Sequence, residues 1–160
     1  KDKNNRNRFL RIIDFTQGEQ GPRFVDEKNK NFFLNMNEFA MVRYGASYGY
    51  ICTGLEGILA NNLFKIKLKK QNILLSKYVL YSLESVEIQK EIKNLSQSSS
   101  MPALNFISMK KLKIPCPSIS VQKKIIDEID NEKQLVIKLK KTMTKYNSKI
   151  DKKIASLWEN

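Results

Sequence analysis

The residues with the plainest chemical signature are Gly45-Ala46-Ser47-Tyr48-Gly49, which fit the G-x-S-x-G pattern of a nucleophile elbow. An elbow serine needs a base, which in that enzyme class is a histidine held by a carboxylate. This chain contains no histidine. Its flanks also differ: an elbow joins a buried strand to a helix, but Tyr50-Ile51-Cys52-Thr53 reads as a second strand. Two glycines bracketing a serine between strand-like runs read instead as a tight turn. Cys52 and Cys116 stand apart without CxxC spacing, which argues against a zinc site. Both are expected to be reduced core residues of a cytoplasmic protein. With no Gly-rich cofactor loop either, neither a metal nor a cofactor is expected, and the chain alone is expected to be non-catalytic.

The formal net charge is +13 over 160 residues. That implies a polyanionic partner, nucleic acid ahead of an anionic membrane surface. Lysine outnumbers arginine 24 to 5, so biased composition alone is a competing explanation. All five arginines (Arg6, Arg8, Arg11, Arg23, Arg43) fall in the first 43 residues. Arginine forks onto guanine and phosphate, whereas lysine acts as a point charge, so the cluster reads as a contact surface. No apolar run approaches the roughly 18 residues a membrane span requires. The chain shows no signal peptide and does not begin with Met, and is read as part of a longer protein.

The elements that must position these residues form two blocks. Residues 8 to 71 read as β-rich, with strands at RFLRII (8–13), FAMVRY (39–44), YICT (50–53) and the alternating LFKIKL (63–68). Residues 73–95 read as one helix, QSSS (97–100) breaks it, and LKIP (112–115) reads as a last strand stopped by Pro115 and Pro117. The expected class is α+β: a mixed β-sheet unit with a packed helix over 1–118, then a long coiled-coil helix over 119–160. After Ser118 there is no proline or glycine, and Ser118 or Ser120 is placed to cap. Ile125, Ile129, Glu132, Val136, Leu139, Met143, Tyr146, Ile150, Ile154 and Leu157 recur at alternating steps of four and three, with a stutter between Ile150 and Ile154. Such a helix spans about 57 Å, longer than a small domain is wide, so its seam calls for a partner helix rather than its own domain.

This order of elements resembles one half of the specificity (S) subunit of type I restriction-modification systems. FLRIIDF (9–15) resembles that family's R-I-x-D-I strand, and FAMVRYGASYGYI (39–51) its strand–turn–strand with G-x-x-G. LANNLFKI (59–66) resembles the strand that commonly opens Thr-Asn-Gln, here Ala60-Asn61-Asn62. SKYVLYSLES (76–85) resembles its x-x-Y-L-Y-Y-x-L helix. The segment 100–130, SMPALNFISMKKLKIPCPSISVQKKIIDEID, keeps prolines, glutamine and heptad in the family's register. The likeness covers about residues 8 to 158.

The resemblance implies a target recognition domain that reads one half of a split double-stranded DNA sequence. The long helix would pair with that of a second half, or in a homodimer, as a ruler between half-sites. Methyltransferase subunits would dock on the assembly and bring in the restriction subunit. GASYG becomes a hairpin turn, with Arg43, Tyr44, Ser47 and Tyr48 near the DNA; Arg11, Asn61 and Asn62 join them. The polar segment from Thr16 to Lys30 reads as a groove-facing loop offering Thr16, Gln17, Gln20, Arg23, Lys28 and Lys30. Thirteen basic residues against five acids between Lys110 and Lys153 add positive charge, some of which only solvates the helix. A competing reading is the C-terminal recognition region of a single-chain methyltransferase or restriction enzyme; a third is a coiled-coil adaptor.

Overall fold

The computed structural model describes residues 2, 4–17, 20–27, 29–70, 72–95, 103, 104 and 106–158. The chain forms two compact units, Lys1–Pro117 and Ser118–Asn160.

The first unit holds two small sheets. One is four-stranded, in the order β2 (Arg23–Val25), β1 (Asn7–Leu10), β6 (Gly57–Leu59), β3 (Phe33–Leu34); β1 and β6 are parallel and the outer pairs antiparallel. The other is antiparallel, in the order β5 (Ile51–Thr53), β4 (Phe39–Val42), β7 (Leu63–Lys65). Strand β4 carries four apolar residues in a row because both of its faces are covered. Ala40 and Val42 join Leu10, Leu34, Cys52, Leu59 and Leu63 in one core cluster, contributed by both sheets. Phe39 and Met41 point the other way, into a second cluster with Ile51, Val79, Leu83, Ile88 and Ile92. Helices α2 (Ser76–Glu84) and α3 (Val86–Asn94) supply the last four of these. Burying a side chain such as Ile92 contributes about 1.5–3 kcal/mol. This α+β arrangement is the class read from the sequence.

Several element boundaries differ from expectation. RFLRII does not run on as a strand: β1 stops at Leu10, and Ile12–Thr16 is a short helix, α1. Asp14 causes the switch, its carboxylate accepting the Arg11 backbone N–H at 2.7 Å as a first-turn acid does at a helix start. The segment 73–95 is two helices, because Ser85 is extended (ψ 150°) and its hydroxyl accepts the amide of Ile88. LFKIKL is a strand only to Lys65. LKIP makes no strand pairing; the carbonyl of Pro115 instead accepts the Tyr78 hydroxyl at 3.0 Å. Phe106–Met109 forms a short helix, α4. Cys52 is buried as expected, but Cys116 is exposed.

The second unit is one helix, α5 (Ile119–Ala155), started by Ser118, whose hydroxyl accepts the Val121 amide. Its 37 residues span about 55 Å. Val136, Leu139, Met143, Tyr146, Ile150, Ile154 and Leu157 are each roughly half exposed or more in the single chain, and Ile125 and Ile129 are partly covered. Among the described residues no helix is long and apolar enough to cross a membrane.

Candidate nucleic-acid interface

The sheet registers bring most of the polar residues singled out in the sequence to one end of the first unit. Strand β1 ends at Leu10, whose carbonyl accepts the amide of Ala60 at 2.9 Å. This sets Arg11 beside the turn Asn61-Asn62 between β6 and β7. The carbonyl of Asn62 in turn accepts the Arg43 amide at 2.7 Å, so Arg43 leaves β4 next to the same turn. Strand β2 pairs Arg23 with Phe9 and runs antiparallel to β1, which places Arg23 near the Leu10 end as well. Thr16 and Gln17 follow α1, and the Tyr50 hydroxyl donates to the Phe15 carbonyl at 3.4 Å, tying α1 to the base of the hairpin turn.

The turn itself is built as its glycines require. Gly45 (φ +97°) and Gly49 (φ +82°) occupy backbone conformations that residues with a Cβ rarely adopt. The Tyr48 amide donates to Gly45 and the Gly49 amide to Val42, closing the hairpin between β4 and β5. Gly49 also lies against α3: a Cβ there would sit 2.6 Å from Ile92 Cγ2. Gln89 donates to the Gly49 carbonyl at 3.1 Å, and the Tyr48 hydroxyl donates to the Lys93 carbonyl at 3.2 Å. Tyr48 is therefore held by α3 through its polar atom. Tyr44 bridges to Ala103, and Ser47, partly buried, gives its carbonyl to the Tyr50 amide.

The segment from Thr16 to Lys30 is not one loop. Pairing of Arg23–Val25 with β1 makes its middle a strand. Gln17, Gln20 and Arg23 stay near the Leu10 end. The stretch after Val25 lies at the opposite end, where Asn7 donates to the Glu27 carbonyl at 2.9 Å. Lys30 opens a 3-10 turn (Lys30–Phe32) on the crossover to β3. Lys28 lies outside the described residues. Gln17, Gln20, Arg23, Lys30, Arg43 and Asn61 are exposed. Arg23 forms no ion pair with Asp26 or with any other carboxylate among the described residues.

Arg11 behaves differently. Its Nε and Nη2 donate to the Asp14 carboxylate at 3.0 and 2.9 Å, Nη1 to Gln20 Oε1 at 3.2 Å, and Nη2 also to the Gly21 carbonyl at 3.4 Å. The Asp14 side chain is 1% exposed. Burial opposes its ionisation, but hydrogen bonds from the Arg11 guanidinium and amide and the charges of Arg11 and Arg8 outweigh it, holding the carboxyl below its usual range. Arg8 approaches the same carboxylate at 3.8 Å, and its buried Nε finds no hydrogen-bond partner among the described residues. Sequence reasoning did not single out Asp14 as the partner that holds Arg11. The signal that could have found it is the Arg11-x-x-Asp14 spacing directly after a strand, a helix-start pattern.

Among the described residues no cluster of His, Cys, Asp or Glu is placed to hold a metal ion. The Cys52 thiol is pushed up to about 12 by burial, which leaves it a neutral core group at physiological pH rather than a nucleophile. What the end of the sheets offers instead is cationic forks and amides on short turns, the groups that contact phosphates and base edges.

A curated relative, the specificity subunit of the type I restriction enzyme MjaVIII from Methanocaldococcus jannaschii, is 30% identical over 112 residues, covering 68% of this chain and 26% of the relative. The match thus spans about a quarter of that protein's length. Residues 2–147 match the family model of the type I restriction modification DNA specificity domain, and the chain belongs to that family.

Proposed function

We propose that this chain is a non-catalytic target recognition module that reads one half of a split double-stranded DNA site. The observation that carries the proposal is the convergence of Arg23, Arg43, Gln17, Gln20 and the Asn61-Asn62 turn at one end of the two sheets, in a chain of net charge +13. Phosphate contacts by lysines and arginines set the register on the duplex, and Arg, Asn and Gln at base edges read sequence. Helix α5 acts as a separate spacer whose exposed apolar seam pairs with an equivalent helix across an isologous interface. Methyltransferase subunits, and through them the restriction subunit, dock on the paired assembly in the cytoplasm. Selection from a randomised duplex pool tests the proposal. The protein should enrich an inverted repeat of a short sequence with a constant gap. Enrichment of no sequence at all contradicts it.

A further inference from the structure

We propose that Arg11 is a positioning residue: its guanidinium, locked onto buried Asp14, fixes Gln20 and Gly21, and through them the approach to Arg23, for reading the base edges. The inference rests on the DNA reading above. It assigns Arg11 a different task from the contact expected of it.

The geometry carries it. A guanidinium has five N–H donors in a rigid plane, and base or phosphate recognition uses two of them side by side. In Arg11 one edge, Nε and Nη2, is already paired with both carboxylate oxygens of Asp14. Its remaining directions reach Gln20 Oε1 and the Gly21 carbonyl. The side chain is 15% exposed and that of Asp14 is 1% exposed, so the pair is built into the unit rather than presented from it. Asp14 is itself fixed from two sides, by the Arg11 backbone N–H at 2.7 Å and by Arg8 at 3.8 Å. One carboxylate therefore ends strand β1, starts α1 and orients the arginine that holds the next turn. Gly21 stands two residues before Arg23, whose strand register against Phe9 begins there. A displaced Gly21 moves the point from which Arg23 leaves the sheet.

A positioning role and a direct contact of Arg11 with DNA predict different outcomes in the full 160-residue protein. The duplexes are the one selected by the wild type and a scrambled control. If Arg11 positions the turn, Arg11→Lys and Asp14→Asn each weaken the selected duplex about tenfold or more and leave the scrambled one within about twofold. The double variant is then no worse than either single one, because both remove one interaction. Asp14→Asn is decisive, since it raises the net charge by one and frees the Arg11 fork. An Arg11 that touched a base or a phosphate directly would bind DNA as well or better in that variant, and such a result overturns the proposal. A readout without DNA keeps this inference separable from the function it rests on, and it stands should Asp14→Asn fail to fold. In Arg11→Lys, backbone order parameters of Gln20 and Gly21 should fall from about 0.85 to below about 0.6, with β4 unchanged. Unchanged order parameters overturn the positioning role whatever the duplex data show; loss of order with no selectable duplex keeps it and rejects the DNA reading.

Discussion

The hydroxyl of Tyr50 donates to the backbone carbonyl of Phe15, 3.4 Å away and 35 residues earlier in the chain. That contact ties the hairpin between β4 and β5 to helix α1, and so sets the Gln17 side of the surface against the Arg43 side. Tyr50→Phe removes the bond and keeps the ring. At such a length, and at a half-exposed site, the loss of stability should be about 0.5 kcal/mol. Affinity for the selected duplex should fall several-fold while a scrambled duplex is unaffected. Anisotropy titrations on both duplexes check this, and an equal loss on the two would make Tyr50 a plain stability residue.

The glycines at the turns should differ in a ranked way when changed to alanine. Gly45→Ala meets no atom within 4 Å and carries only the cost of its positive φ, about 1–2 kcal/mol. Gly49→Ala adds a clash with Ile92 Cγ2 and should cost more. Gly57→Ala should be the worst, because its Cβ would sit 2.2 Å from the Arg8 carbonyl, a backbone atom that cannot step aside. Urea denaturation of the three variants gives the order directly, and a Gly57→Ala protein as stable as Gly45→Ala would contradict the packing of β6 against β1.

Much of this architecture was legible in the sequence, and the failures have physical causes. Helix α5 announced itself through apolar steps of four and three, the absence of Gly and Pro, and Ser118 at its start. Strand β4 was visible because a central strand buried on both faces must be apolar throughout. Strands β2, β3 and β6 were not, since each has only two or three residues and owes its conformation to its partners. Strand β6 even opens on a glycine. The break at Ser85 does not show within residues 73–95, which read as one helix, because helical periodicity persists across a break that only a cap reveals. The site divides in the same way. Arginine clustering named Arg23 and Arg43, but their meeting with Asn61 and Asn62 depends on strand order, and the retention of Arg11 by Asp14 depends on a turn that residue types alone do not fix.

Acid should destabilise the first unit through two carboxylates. Asp14 and Glu38 are both partly desolvated, which raises their pKa, yet hydrogen bonds and the charges of Arg11 with Arg8, and of Lys65, bring both below their reference values of 3.8 and 4.5. A folded-state pKa below the unfolded one gives stability that is complete above the unfolded value and is lost as pH falls through the folded one. Melting temperature should therefore be flat between about pH 7 and pH 5 and drop below about pH 4. Asp14→Asn should flatten that acid limb; an unchanged limb would show that Asp14 contributes nothing to it.

Pairing through α5 makes its own prediction. Leu139 and Val136 lie near the middle of the exposed seam, so Leu139→Asp should convert a dimer to a monomer with the first unit still folded. Light scattering at high micromolar concentration reports this. A wild-type monomer insensitive to the substitution would remove the helix from the account of assembly.

The central claim is that the Leu10 end of the two sheets reads DNA. Its most direct test is a binding series on the selected and scrambled duplexes, across a range of salt, for the wild type, Arg23→Ala and Arg43→Ala. If five or six phosphates are neutralised, log K should fall against log salt with a slope of roughly −4.5 to −5.5. Arg43→Ala should weaken both duplexes alike and reduce the slope by about one, whereas Arg23→Ala should cost about 1–3 kcal/mol on the selected duplex alone. Equal losses for both variants on both duplexes would reduce this end to a phosphate clamp, and no loss for either would place the DNA surface elsewhere on the molecule.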